Sequence, residues 1–339
     1  MSQTNEAGKR MVDLARKIFP YHRSITGEGV RQTLRDIADY IAPTGTELMI
    51  SEVPSGTQVF DWTVPREWAI REAYIEDENG NRIIDIRNSN LHVLGYSVPV
   101  DRWVDLEELR QYVYVEENQP DLIPYVTSYY RERYGFCMSR NQRDSLKPGR
   151  YHMVIDSELF DGVLNYAEAV LPGETADEIL FSTYVCHPSM ADNECSGPAL
   201  AAELIRMLAA MPERKYTYRF VFVPETIGSI TYLSREDHVP YLKEHLKAGF
   251  VLSCVGDDRG YAMIHSRYAD TLADRVLLNV LRHREKFTEY GFKDRGSDER
   301  QYNAPGVDLP VVCFCRSKFG EFLEYHTSAD NMSFVSPEG

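Results

Sequence analysis

Four polar side chains in this chain each follow a strand-like apolar run. His187 comes just after 179–185, Glu225 after 217–223, Asp257 after 250–255, and His326 lies in the loop after 309–315. Open α/β sheets bind ligands outside the carboxyl ends of their strands. Four such ends, each supplying an imidazole or a carboxylate, point to a metal-centred hydrolase site. Imidazole plus carboxylate is the usual donor set of catalytic zinc. The loop from His187 to Gly197 adds Asp192, Asn193 and Glu194 ahead of a helix starting near Pro198, where a missing N–H does no harm. Glu225, past a buried strand and before a Gly-containing turn, is placed to take a proton from an activated water. Cys254 and Asp257 close another strand and are both candidate ligands. Asp330, four residues after His326, is placed to orient its second ring nitrogen. Taken singly, each residue also has a plainer reading as a loop histidine, a capping Asp, a helix-start Glu or a core thiol.

The elements that must carry these residues are legible in outline. Two helices open the chain, near 6–18 and 28–41, the second with Val30, Leu34, Ile37 and Ile41 on one stripe. Between them, Arg23 to Gly29 reads as a turn and not as a dinucleotide loop, because it follows a helix and lacks the third glycine. Residues 47–53 suit a strand. From 56 to 100 the texture shifts to short strands, with a hairpin signal at Asn79-Gly80 between 70–77 and 82–86. A short helix near 105–112 has Asp105 as its N-cap candidate. Residues 121–136 are dense in aromatics, including Tyr125, Tyr129 and Tyr130. Beyond 150, strands at 151–155, 164–171, 178–185, 217–223, 250–255 and 309–315 alternate with helices near 198–211 and 270–286. The first of those helices carries Leu200, Leu204, Ile205 and Leu208, the second Leu272, Val276, Val280 and Leu281. The strands are too continuously apolar for one-sided sheets. The expected fold is α/β: a central mixed sheet flanked by helices, with a small, mostly β domain inserted. The expected division is 1–49 with 131–339, and 50–130 for the insert.

Composition narrows the function. The net charge of −15 over 339 residues argues against a nucleic-acid partner, which needs a basic face, and against docking on anionic lipid. Residues 1–10 do not read as a signal peptide, and no apolar run approaches the ~20 residues of a membrane span. Six scattered cysteines without a C-x-x-C pair fit free thiols in a reducing cytosol. Cys313 and Cys315 read as core residues on one strand face. A small-molecule or short-peptide substrate is the expected partner, and the sequence leaves room for a homo-oligomer.

Six motifs together carry a resemblance. They are Arg23-Ser24-Ile25-Thr26-Gly27, the run Phe60-Asp61-Trp62-Thr63-Val64-Pro65-Arg66-Glu67-Trp68, and Cys186-His187-Pro188-Ser189. The others are Pro224-Glu225-Thr226-Ile227-Gly228-Ser229, the 296–302 segment from Gly296 to Tyr302, and Tyr325-His326-Thr327-Ser328-Ala329-Asp330. With these the chain resembles, over nearly its whole length, the bacterial aminopeptidase-like proteins related to co-catalytic zinc aminopeptidases and glutaminyl cyclases. Many of those occur in polysaccharide or natural-product biosynthetic loci. The resemblance implies that His187 and His326 are the first and last zinc ligands and Glu225 the general base. It implies that Asp298, Glu299 and Arg300, with Tyr325, line the substrate cleft, and that the Asp61–Trp68 motif belongs to an insert overhanging it. It also implies further chain beyond Ser336-Pro337-Glu338-Gly339, which reads as a helix start.

The departures from the family pattern are as informative. Where the family reads Ala-Asn-Asp-Asn-x-Ser-Gly with a metal-bridging Asp, this chain places Asn193, so Asn193 is expected to meet substrate instead. The second Glu that binds metal in the wider aminopeptidases is Thr226 here. One zinc ion is therefore expected, bound by His187, His326 and a carboxylate. Asp192 and Asp257 are the chosen ligands, with Glu194 and Cys254 as alternatives. The expected activity is metal-dependent hydrolysis of an amide in a small aminoacyl or peptidyl intermediate of a biosynthetic pathway. Intramolecular acyl transfer or another single-metal biosynthetic step is the alternative, and a non-catalytic binding protein on a peptidase scaffold is the third reading.

Overall fold

The computed structural model describes residues 3–339. Its centre is an eight-stranded mixed sheet. The spatial order is Met49–Pro54, Val163–Leu171, Thr217–Val223, Glu178–Tyr184, Leu246–Leu252, Val311–Cys315, Tyr261–Ile264 and Phe287–Tyr290. The four strands from Thr217–Val223 to Val311–Cys315 run parallel to one another. These are the continuous apolar runs of the sequence. Both faces of them are covered, which is why Phe220, Val221, Phe222, Val311, Val312 and Cys313 are all buried.

Helices Gln3–Ile18, Glu28–Ile41 and Ser196–Ala209 share one apolar cluster with this sheet. The stripe Val30, Leu34, Ile37 and Ile41 is buried as the helical period predicts. Helix Ser196–Ala209 turns a different face inward than its leucines suggest. Ala199, Ala201, Ala202 and Ile205 are buried, while Leu200, Leu204 and Leu208 are only partly covered. Small side chains let this helix lie close to the strands. Gly197 marks the closest approach, since a Cβ there would fall 2.2 Å from Thr183 Oγ1 and 2.7 Å from the Leu252 carbonyl oxygen. Helix Leu272–Leu281 also differs from the sequence reading. Ala273, Leu277 and Leu281 are buried, and Leu272, Val276 and Val280 face solvent.

A second, antiparallel sheet stands beside the first, in the order Arg82–Asp85, Glu67–Asp77, Arg150–Phe160, Val100–Asp105. Its hairpin turns at Asn79-Gly80, with Gly80 at φ 79°. Strand pairing moves the expected limits of the insert. Met49–Pro54 belongs to the edge of the main sheet, and Arg150–Phe160 belongs to the small one. The inserted unit therefore runs from the end of the first of these strands to the end of the second, beyond the expected 50–130. The aromatic segment after 120 then reaches back across to the main domain. Pro124 bridges Thr327, the Tyr125 N–H donates to the His326 carbonyl, and the Ser328 N–H donates to that of Ile123.

Candidate active site

Three neighbouring parallel strands end at one place. Glu178–Tyr184 leads through Val185 and Cys186 to His187, Thr217–Val223 leads through Pro224 to Glu225, and Leu246–Leu252 leads to Cys254. His326 arrives from the loop beyond Val311–Cys315. The rings of His187 and His326 lie 5.3 Å apart, centroid to centroid. Tyr125 contacts both, at 5.2 and 5.0 Å, and Tyr325 stacks on His326 at 3.9 Å. The backbone is held in the left-handed region at Thr226, Cys254 and His326 (φ 65°, 52° and 55°). Such strain at non-glycine residues gathers at functional sites.

His187 is held by Glu194. The carboxylate accepts from the His187 backbone N–H at 2.9 Å and meets Nδ1 of its ring at 2.9 Å. Arg23 lies 3.5 Å behind Glu194, fully buried, and also donates to the His187 carbonyl at 2.9 Å and toward Cys195 Sγ at 3.4 Å. Burial works to raise the Glu194 carboxyl, with Arg23 and the His187 backbone N–H opposing it. Burial, and then the charge of Arg23, lowers His187 to about 3. A neutral ring whose Nδ1–H points at Glu194 leaves a lone pair on Nε2. That nitrogen faces Glu225 Oε2 at 3.7 Å. His326 is kept neutral too, first by burial and then by His187, and its buried Nε2 has no partner among the described residues.

Glu225 opens on the cleft and receives the Ser297 hydroxyl at 2.9 Å. Burial, followed by the charge of Asp298, lifts it to about 8. The turn beneath it is braced by the 296–302 segment. Asp298 accepts from the Thr226 N–H at 2.7 Å and the Ser229 hydroxyl at 2.8 Å, and Arg300 donates to Thr226 Oγ1 at 2.8 Å. Asp298 and Glu299 are fully buried, and Glu299 is spent on the N–H groups of Gly296 and Ser297. The expectation that these two acids line the cleft is corrected: they support Glu225 from below.

Two expected ligands turn elsewhere. Asp192 accepts from the N–H groups of Gly256 and Asp257 at 2.6 and 3.2 Å, and Asp257 accepts from Arg259 N, Ser317 N and the Ser317 hydroxyl. Both tie loops together on the far side of the 191–195 turn. Asp330 does not orient His326 either; it accepts from the N–H groups of Asp192 and Asn193 at 2.7 and 2.9 Å. Asn193 is buried, donates to the Tyr184 hydroxyl at 2.8 Å, and leaves its Oδ1 without a partner. Sequence reasoning missed Arg23, Tyr125, Tyr184 and Ser297. Arg23 and Ser297 had a signal in their places in quoted motifs, and Tyr125 in the aromatic-dense segment.

His187 and His326 are neutral imidazoles with ring centroids 5.3 Å apart, and the Glu225 carboxylate lies 3.7 Å from His187 Nε2; imidazole and carboxylate are donors of the type zinc takes. Cys186, His187 and Glu194 also group their ligand atoms within 4.8 Å of one another. That set needs the Nδ1 already engaged by Glu194, and burial raises the Cys186 thiol far above its ordinary range.

Cys186, His187, Glu225 and Thr226 line a cleft of about 800 Å³. Its walls include Ile25, Asp61, Trp62, Tyr129, Tyr130 and Ile227.

Fold and site together define an aminopeptidase-like α/β protein. The same architecture occurs in a zinc aminopeptidase from Bacillus subtilis (TM-score 0.69, 11% identity, 99% of this chain and 91% of that one). It occurs again in a Porphyromonas gingivalis glutaminyl cyclase (TM-score 0.53, 13% identity, 97% and 92% covered). A crystal structure of a Clostridium acetobutylicum protein named as a peptidase superposes with TM-score 0.94 at 43% identity, covering 99% of this chain and 77% of that one. A C. acetobutylicum relative named for polysaccharide biosynthesis and an aminopeptidase-like domain is 43% identical over 341 residues, 100% of this chain and 76% of its own length. Residues 12–339 match the family described as a domain of unknown function, DUF4910, and this chain belongs to that family.

Proposed function

We propose that the protein is a metal-dependent amide hydrolase that uses one zinc ion and acts on a small aminoacyl or peptidyl intermediate. The Glu225 carboxylate 3.7 Å from His187 Nε2 in the cleft wall, with the His326 ring 5.3 Å from that of His187, carries this reading. Zinc in such a place supplies a Lewis acid for the scissile carbonyl and acidifies water. Its holders would be His187 and His326, with the Glu225 carboxylate beside them. Glu194 keeps the His187 ring in one tautomer. Glu225 accepts the proton of the attacking water and returns it to the departing amine nitrogen. Its raised proton affinity suits a group that must hold a proton and then release it. Ser297 and the Asp298-braced turn keep the carboxylate aimed. The biosynthetic setting rests on the relative named for polysaccharide biosynthesis. Six unpaired cysteines support a cytosolic home, and no helix of the described residues is long and apolar enough to cross a membrane. A small molecule remains the proposed partner, nucleic acid and membrane are not, and a homo-oligomer stays compatible.

The test is metal analysis of purified protein followed by assay of Glu225→Gln on a panel of small amides. Loss of turnover by about 10²–10⁴-fold in the metal-loaded variant is expected. Full activity of a metal-replete Glu225→Gln protein would overturn the mechanism. A second reading, intramolecular acyl transfer, is favoured by Asn193 and Thr226 standing where carboxylate ligands would be. Release of a cyclised product instead of a free acid distinguishes it.

A further inference from the structure

The outer wall of the cleft holds an unused recognition corner. Trp62 and Tyr130 meet edge to face, with centroids 5.4 Å apart and planes at 84°. They are 40% and 71% exposed, so folding does not consume their faces. Elsewhere in the chain the partly buried rings of Tyr74 and Tyr261 carry guanidinium groups, from Arg82 and Arg316. Neither Trp62 nor Tyr130 carries one among the described residues. Asp61, on the same wall, is exposed and has no hydrogen-bond or ion-pair partner among the described residues. No Lys or Arg lines this cleft, whose acidic members are Asp61 and Glu225. Arg300 stands behind the floor, bonded to Thr226 Oγ1, while Arg66 and Arg131 line an adjoining hollow behind Tyr130, where Arg66 is paired with Glu132 at 2.5 Å.

Two perpendicular π faces beside a free carboxylate select a positive charge, since the ring quadrupole and the carboxylate both attract it. A phosphate or carboxylate group would meet only repulsion there. We infer that the corner of Trp62, Tyr130 and Asp61 is a substrate subsite for an ammonium group remote from the scissile amide. The substrate class is then an amide whose distal end bears a primary or alkylated amine. The inference rests on the amide-hydrolase reading only for the position of the reacting bond.

The probes are lysinamide and norleucinamide, which differ in one distal ammonium. Calorimetric binding to Glu225→Gln protein at pH 7 should favour lysinamide by about fivefold to thirtyfold, the range of a desolvated cation–π contact. Trp62→Ala and Asp61→Asn should each erase most of that preference, Trp62→Phe should keep part of it, and added salt should weaken it. Thermal unfolding confirms that the variants fold. Equal affinity for the two probes, binding of neither at millimolar concentration, or a preference unchanged in both variants would overturn the subsite. The wild-type protein separates the two readings. If it turns over neither amide while the preference persists, the subsite stands and the hydrolase reading fails. If it turns over both with no preference, the subsite alone fails.

Discussion

Arg23 and Glu194 decide how His187 is presented. Both are completely buried, 3.5 Å apart, and they share His187 between its carbonyl and its ring. Removing one partner of a buried ion pair strands the other charge and costs about 3–5 kcal/mol. Arg23→Met should therefore destabilise the protein strongly in denaturant unfolding. Arg23→Met combined with Glu194→Gln should recover part of that loss, because no unpaired charge remains. A strictly additive double-mutant cycle would show that the two groups do not depend on each other. The sequence placed Glu194 among the alternatives only. Three consecutive polar residues, Asp192, Asn193 and Glu194, differ in direction by the local winding of the 191–195 turn, which is a π-type turn here. Type and spacing cannot tell which of the three faces the imidazole. The strand ends that carry His187 and Glu225 were legible because each follows a mostly apolar, strand-length run.

At the scale of elements, His265 fastens the far edge of the main sheet. Its Nδ1 meets Asp274 in the first turn of helix Leu272–Leu281 at 2.7 Å, and its Nε2 meets Glu289 on the edge strand Phe287–Tyr290 at 2.5 Å. Burial works to lower its proton affinity, but the bonds to Glu289 and Asp274 outweigh it, and the value is raised. The stabilisation is therefore fully present below the unfolded value, about 6.5, and is lost as pH climbs through the higher folded one. His265→Gln should lower the urea midpoint at pH 5.5 and cost progressively less toward pH 8.5. A penalty independent of pH would assign the residue to packing alone. The same helix shows where periodicity stops being informative. Leu272, Val276 and Val280 repeat every four residues, and so do Ala273, Leu277 and Leu281. Only the sheet beneath it selects the second stripe. The insert boundary escaped for a similar reason: the partner of Glu67–Asp77 is Arg150–Phe160, a pairing across many residues that no local pattern announces.

Considered whole, the molecule is two sheets joined over a cleft, and the joint passes through the site. The segment around Tyr125 belongs to the overhanging unit, yet its N–H is bonded to the carbonyl of His326 at 2.8 Å, and its ring rests on both imidazoles. The turn at His326 sits in the left-handed region, a conformation that this attachment helps to fix. A molecule that wedges beneath the overhang therefore also strains or steadies an imidazole of the proposed zinc position. Linkage then requires reciprocity: whatever factor zinc contributes to the grip on an amide, the amide must return to the grip on zinc. Chelator titrations with and without lysinamide should shift in the same sense as lysinamide titrations with and without zinc, and by the same factor.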